Sequence, residues 1–192
     1  MQMKKDESGQ SVMGAAKFKA LVHQIVESCE DPHKLGAVRL NKICWYSDTL
    51  AYRIHGKSIT AETYVKRKRG PVPKTILATV RELEKEKKIH VREHEYLPSK
   101  RIRLFTSMEG TDPKALTDDE HHILKFVMDV VCNHHTAASI SDLSHDAIWE
   151  AANDGEEIPM CATLVADAAP LTPKAAKWAQ GMIKKVAGKV AA

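Results

Sequence analysis

Histidine and cysteine are the first residue types to test for chemistry, and five of them crowd one stretch: His121, His122, Cys132, His134 and His135. Imidazole and thiolate are the usual zinc ligands, so the cluster raises a metal site. The residues bracket a single predicted helix, however, and at 1.5 Å rise per residue its two ends lie about 15 to 20 Å apart, too far to share one ion. Cys132, His134 and His135 alone lack a fourth ligand at the usual spacing. A nucleophilic site is the second candidate, because Ser144, His145 and Asp146 stand side by side. Neighbouring helical residues point about 100° apart and do not face one another, so contiguity implies no triad. His145 reads instead as a capping or packing residue near Trp149. The nine glycines are scattered, and neither G-x-x-x-x-G-K-[ST] nor G-x-G-x-x-G occurs, so no phosphate cradle is indicated. The expectation is a protein with no metal, no cofactor and no catalytic residues.

The remaining chemistry is recognition. Lys66, Arg67, Lys68 and Arg69 are followed by Gly70-Pro71-Val72-Pro73 and Lys74, which predicts a turn stiffened by two prolines that carries positive charge outward. Such a protrusion suits an acidic protein surface or a phosphate backbone, while a solvated charge run explains the same residues. Trp45, Tyr46, Tyr64 and Trp149 belong to a small aromatic set, and aromatics anchor both cores and interfaces. Tyr46 and Trp149 fit a core. Trp45 breaks the apolar rhythm of its helix and is a candidate to face a partner. A rival reading takes the helix after Pro73, with a hairpin bearing Arg92, Lys100, Arg101 and Arg103, as a winged helix that touches DNA. Glu82, Glu84 and Glu86 on that helix oppose it, since carboxylates repel phosphates.

The elements that must hold these residues follow from periodicity. Phe18, Leu21, Val22, Ile25 and Cys29 predict a first helix, ended by Asp31-Pro32. Leu35, Val38, Ile43, Tyr46, Leu50 and Ile54 predict a second from about Lys34 to Ile54, central because its apolar face is broad, with Gly56 as its stop. A connector spans Ile59 to Pro73, and Pro73 opens a third helix showing Ile76, Leu77, Val80 and Leu83 on one face. Ile89 and Val91, then Ile102 and Leu104, alternate as two strands around Leu97-Pro98-Ser99. Thr117 and Glu120 form a capping box for a fourth helix carrying Ile123, Leu124, Val127, Val130 and Val131. A short helix is expected over Ser141 to Asn153, a linker over Met160 to Pro170, and a last helix from Thr172. The predicted fold is mainly α with a small β-hairpin, a compact helical domain plus a C-terminal helix. Its expected divisions are a leader over 1–12, the domain over 13–160, and the linker and last helix over 161–192.

A chain of 192 residues with 43% hydrophobic content can bury a core, and the formal charge of +4 matters only where it is concentrated. Cys29, Cys44, Cys132 and Cys161 make no C-x-x-C pair, which points to reduced thiols and not to a disulfide framework. No apolar run of signal-peptide or membrane-spanning length occurs, so a cytoplasmic protein without membrane contact is expected. The final Val186 to Ala192 resembles tails read by AAA+ proteases, and also an ordinary frayed helix end.

In order and spacing, several landmarks resemble the Panacea domain of SocA-like antitoxins. They are Lys34-Leu35, then Leu40-Asn41-Lys42-Ile43-Cys44-Trp45-Tyr46-Ser47-Asp48, then Tyr64, Gly70-Pro71-Val72, Leu83 and Ile89. Leu143-Ser144-His145 with Trp149, and Ile158-Pro159, resemble the family's closing motif. The resemblance spans roughly Phe18 to Pro159 and implies a mainly helical protein that binds and neutralises a toxin encoded beside it. It makes Leu35, Lys42, Tyr46, Asp48, His145 and Trp149 structural positions of the motif. Trp45, Tyr64, Lys66, Arg67, Arg69, Gly70, Pro71 and Val72 become the candidate contacts to the toxin. A DNA-binding regulator, and an adaptor that delivers its partner to an AAA+ protease, are the alternatives.

Overall fold

The computed structural model describes residues 12–97 and 100–164. The leader, the predicted last helix and the apolar tail lie outside the described residues. Among the described residues the fold has six α-helices and two small antiparallel sheets, mainly helical as expected. Helix α1 (Val12–Ser28) buries Phe18, Leu21, Val22 and Ile25, one face at helical spacing, each contributing about 1.5 to 3 kcal/mol. Helix α2 (Pro32–His55) is the central element, in contact with α1, both sheets and two later helices. Asp31 caps it by accepting the His33 N–H, Pro32 fills the first turn, and Gly56 closes it in the left-handed region with its N–H on the Tyr52 carbonyl. Gly36, at φ +58° and ψ 165°, kinks the first turn away from the rest. That backbone region is open essentially to glycine alone.

The expected connector is in fact a second hairpin. Strand β1 (Tyr64–Arg67) pairs antiparallel with β2 (Gly70–Pro73) in the register Tyr64 with Pro73 and Arg67 with Gly70. Prolines argue against a strand because they remove ladder donors, but β2 is an edge: β1 lies between it and a short strand at Glu157–Ile158. Pro71 and Pro73 occupy alternate positions, so both missing N–H groups fall on the outer side, where no strand needs them. Pro73 therefore ends a strand and does not open a helix.

Helix α3 (Ile76–Lys85) buries Ile76, Thr79, Val80 and Leu83, while Leu77, expected on the same face, is exposed. Strands β3 (Ile89–Leu97) and β4 (Lys100–Ser107) form the predicted hairpin. Helix α4 (Asp118–Asp129) starts at the predicted capping box, with Thr117 accepting from the Glu120 N–H and Glu120 accepting from the Thr117 N–H at 2.9 Å. Glu120 also pairs with Lys17 of α1 at 2.6 Å. Thr117→Ala is expected to lower stability by about 1 kcal/mol, read as a shift of the urea midpoint at constant slope.

A π-turn (Val130–His134) continues α4. The single helix expected over Ser141 to Asn153 is two: α5 (Ala137–Leu143) and α6 (Ala147–Ala151). Asp146 divides them because its carboxylate accepts the N–H groups of Ile148 and Trp149, starting a new helix. Strand β5 (Glu157–Ile158) joins β1, and the stretch expected to open a linker is a 3-10 turn (Met160–Leu164) with Thr163 buried. Arg53 of α2 donates to the Thr163 carbonyl at 2.9 Å. Among the described residues no helix is long and apolar enough to cross a membrane.

Candidate partner-binding site at the basic hairpin

Two charged side chains of α2 are buried, and each holds one end of the β1–β2 hairpin. Lys42, 1% exposed, donates from Nζ to the Pro71 carbonyl at 3.1 Å beside the hairpin tip. Burial pushes its ammonium down to about 7. At the root, the Asp48 carboxylate accepts the Thr60 N–H at 3.0 Å, the Thr60 hydroxyl at 2.5 Å and the Tyr64 hydroxyl at 2.8 Å. Burial raises Asp48 to about 6, opposed by the bonds from Thr60 and Tyr64. The Tyr64 ring meets Trp45 edge-on at 4.9 Å, and burial drives the Tyr64 hydroxyl well above its usual range. Glu62, also buried, accepts the N–H groups of Thr63 and Thr75 and the Thr75 hydroxyl, tying β1 to the start of α3.

At the tip, Lys68 and Arg69 form the turn, and Gly70 follows at φ +96°. Neither turn residue has positive φ, so the left-handed step that closes the hairpin falls on Gly70. A side chain there would also collide: a Cβ would stand 2.1 Å from Ser144 Oγ and 2.2 Å from Lys42 Nζ. Two serines complete the seat, with Ser141 Oγ donating to the Arg69 carbonyl at 3.0 Å and Ser144 Oγ to the Ser141 carbonyl at 2.6 Å.

The last part of the domain grips the hairpin's other side. Trp149 donates from its indole to the Arg67 carbonyl at 3.1 Å, and His145 stacks on the indole at 3.8 Å. Lys66 lies over the same ring, 4.2 Å from its centre, and donates to the carbonyls of Glu150 and Ala152 at the end of α6.

These holds run from the Lys42 to Asp48 stretch of α2 to Trp149 of α6, and the family model of the SocA-like antitoxin, Panacea domain, matches residues 40–150. The chain belongs to this family. No curated protein and no solved structure matches it. Its family role is that of an antitoxin.

Within the Panacea domain the predicted contact residues separate into two groups. Trp45 and Tyr64 are 3% and 1% exposed, and Gly70 and Pro71 are also buried. Facing a partner was expected of Trp45 and Tyr64; packing against each other corrects this. Lys66 is half-buried and fully engaged, so it is an anchor. Arg67 and Arg69 are exposed with Lys68, and Val72 is half-buried. Leu35 lies in the core. Ser144, His145 and Asp146 each serve separate structural contacts and do not converge. Among the described residues no group of three or more His, Cys, Asp or Glu is placed to hold a metal ion.

The sequence reading missed an apolar groove of about 180 Å³ between α2, α4 and α5. Phe126 and Leu143, 61% and 57% exposed, line it with Leu50, Val130, Ile140 and Tyr46. The Tyr46 hydroxyl is buried and has no hydrogen-bond partner among the described residues. Phe126 was the available signal, since it lies off the Ile123, Leu124 and Val127 face of its helix. Helix α5 joins the groove to the basic tip, for Ile140 and Leu143 line the one while Ser141 seats the other.

Proposed function

We propose that this Panacea domain neutralises a toxin in the cytoplasm by stoichiometric binding, using the Arg67, Lys68 and Arg69 tip together with the Phe126 and Leu143 groove. The observation that carries the reading is the anchoring of an exposed basic tip by the buried Lys42, next to an apolar groove lined by the exposed Phe126 and Leu143. An apolar centre beside a charged rim is how specific protein interfaces are built, and a preformed surface lowers the entropy lost on binding. The complementary toxin surface is an apolar projection bordered by carboxylates. Binding of this kind needs neither cofactor nor catalytic group.

The winged-helix alternative is disfavoured by charge pairing. Arg101 lies 3.7 Å from Glu93 and 3.9 Å from Glu95, and Arg103 lies 4.0 Å from Glu93, so the β3–β4 face carries its own neutralising carboxylates. Glu82 of α3 and Glu86, which caps that helix, are turned to Lys19 of α1. Random duplex titrated at rising salt should therefore show no steep loss of affinity with salt, because few phosphates would be neutralised.

The direct test co-expresses the chain with the toxin encoded beside it. Arg67→Glu with Arg69→Glu is expected to weaken toxin binding at least tenfold, to reduce rescue of growth, and to leave stability within about 0.5 kcal/mol. Lys66 is excluded from that pair, because reversing it would disturb Trp149 and α6. Undiminished rescue by a folded double variant would remove the tip from the interface.

A further inference from the structure

Cys29 and Cys132, far apart in sequence, meet in space. Cys29 follows the end of α1, and Cys132 sits in the π-turn after α4, where the extra residue per turn re-aims the side chains. Both thiols are partly exposed, both line one open cleft of about 640 Å³ with Lys34 and His121, and they lie close enough for each to shift the other's ionisation. Cys29 also donates to the Asp31 carbonyl at 3.2 Å. Arg39 fixes the surroundings by donating to the carbonyls of Lys34 and His135, both at 2.7 Å, which ties the start of α2 to the end of the π-turn.

We propose that Cys29 and Cys132 form a reversible dithiol–disulfide pair that hydroperoxides oxidise. The neighbouring Cys29 thiol draws Cys132 down to about 7 against the effect of burial, with Arg39 and Lys34 adding to the lowering. The same neighbour raises Cys29, which makes Cys132 the better attacking sulfur. Its thiolate attacks one peroxide oxygen, the O–O bond breaks, and the other oxygen leaves and takes up a proton as alcohol or water. Cys132 is then a sulfenic acid. Cys29 displaces its hydroxyl, forming the S–S bond, and the Cys29 proton leaves with the hydroxide as water. The two sulfurs together lose two electrons, and the peroxide gains them. A small dithiol reverses the reaction by exchange. Val130 and Val131 of the same turn line the apolar groove, so the bond is placed to stiffen that wall; this consequence rests on the toxin-binding reading, whereas the disulfide does not.

The test uses the reduced full chain, hydrogen peroxide and mass spectrometry after alkylation. Of the four free thiols, Cys44 is buried and Cys161 is exposed, which makes them internal references. The expected result is the loss of two alkylatable thiols, a Cys29–Cys132 linked peptide, and recovery of both thiols with dithiothreitol. In Cys29→Ser, Cys132 should instead stop as a sulfenic acid that dimedone traps. Retention of both thiols at a peroxide dose that modifies Cys161, or linkage of Cys132 to Cys161 or between molecules, would overturn the proposal. Each readout is covalent, so toxin binding can fail without touching it.

Discussion

Alanine at position 70 is expected to lower stability by about 3 kcal/mol and to abolish neutralisation of the toxin. Two independent terms add. Gly70 sits at φ +96°, a conformation that L side chains resist by about 1 to 3 kcal/mol. The new Cβ would also stand 2.1 Å from Ser144 Oγ, 2.2 Å from Lys42 Nζ and 3.0 Å from Lys42 Cε. Both neighbours are flexible in principle, but Lys42 is buried and can withdraw only by giving up the Pro71 carbonyl, and Ser144 only by giving up the Ser141 carbonyl. Overpacking of this kind costs about 1 to 3 kcal/mol. Gly56 supplies the control: it also has positive φ, at +70°, yet a Cβ there meets nothing within 4 Å. Gly56→Ala should therefore lose about 1 kcal/mol from the backbone alone. Urea unfolding of the two variants separates packing from strain. Equal losses would show that the hairpin seat is loose, and that the close approach of Lys42 and Ser144 to Gly70 has no energetic consequence.

What was legible in the sequence tracks how local each signal is. Helices α1, α2 and α4 announce themselves because Phe18, Leu21, Val22 and Ile25, or Ile123, Leu124 and Val127, repeat at the helical period, and the Thr117–Glu120 box marks a start with two residues. The β3–β4 hairpin shows in the alternation of Ile89 with Val91 and of Ile102 with Leu104. The β1–β2 hairpin does not, because its strands are four residues each and its prolines carry the ordinary sign of a break. Only knowing that β2 is an edge makes Pro71 and Pro73 permissible, and edge status depends on β5 arriving from the far end of the domain. Asp146 was readable as a helix cap, but the apolar spacing of Leu143, Ile148 and Trp149 suggested one continuous helix. The site was half visible: a basic run can be seen, but which of its members is an anchor depends on Trp149 and the carbonyls of α6. Lys42 did leave a trace. It lies seven residues from Thr49, on the buried face of α2, where a lysine has to find a partner.

That lysine yields a pH dependence opposite to the usual one. The folded state lowers Lys42 from 10.5 to about 7, so between those pH values the unfolded chain holds a proton that the folded protein lacks. Raising the pH through this interval therefore favours folding, and stability climbs by roughly 5 kcal/mol across the whole of it. Asp48 runs the other way. Raised from 3.8 to about 6, it keeps in the folded state a proton that the unfolded chain has already released, so its contribution falls by roughly 3 kcal/mol as pH rises across that interval. Together the two groups place a trough of stability between about pH 6 and 7, where many proteins are most stable. Lys42→Met is expected to flatten the alkaline limb, and Asp48→Asn the acid limb, in urea midpoints taken from pH 4 to 10. At pH 6.5 the methionine variant should also be more stable than the parent, since losing the donor to the Pro71 carbonyl costs about 1 to 3 kcal/mol and burying the ammonium costs more. An unchanged alkaline limb would show that Lys42 is not the group responsible. If the variant gains stability and loses neutralisation, then Lys42 acts through position: a buried ammonium, unfavourable to the fold, holds the Gly70-Pro71 backbone where the basic tip can reach a partner.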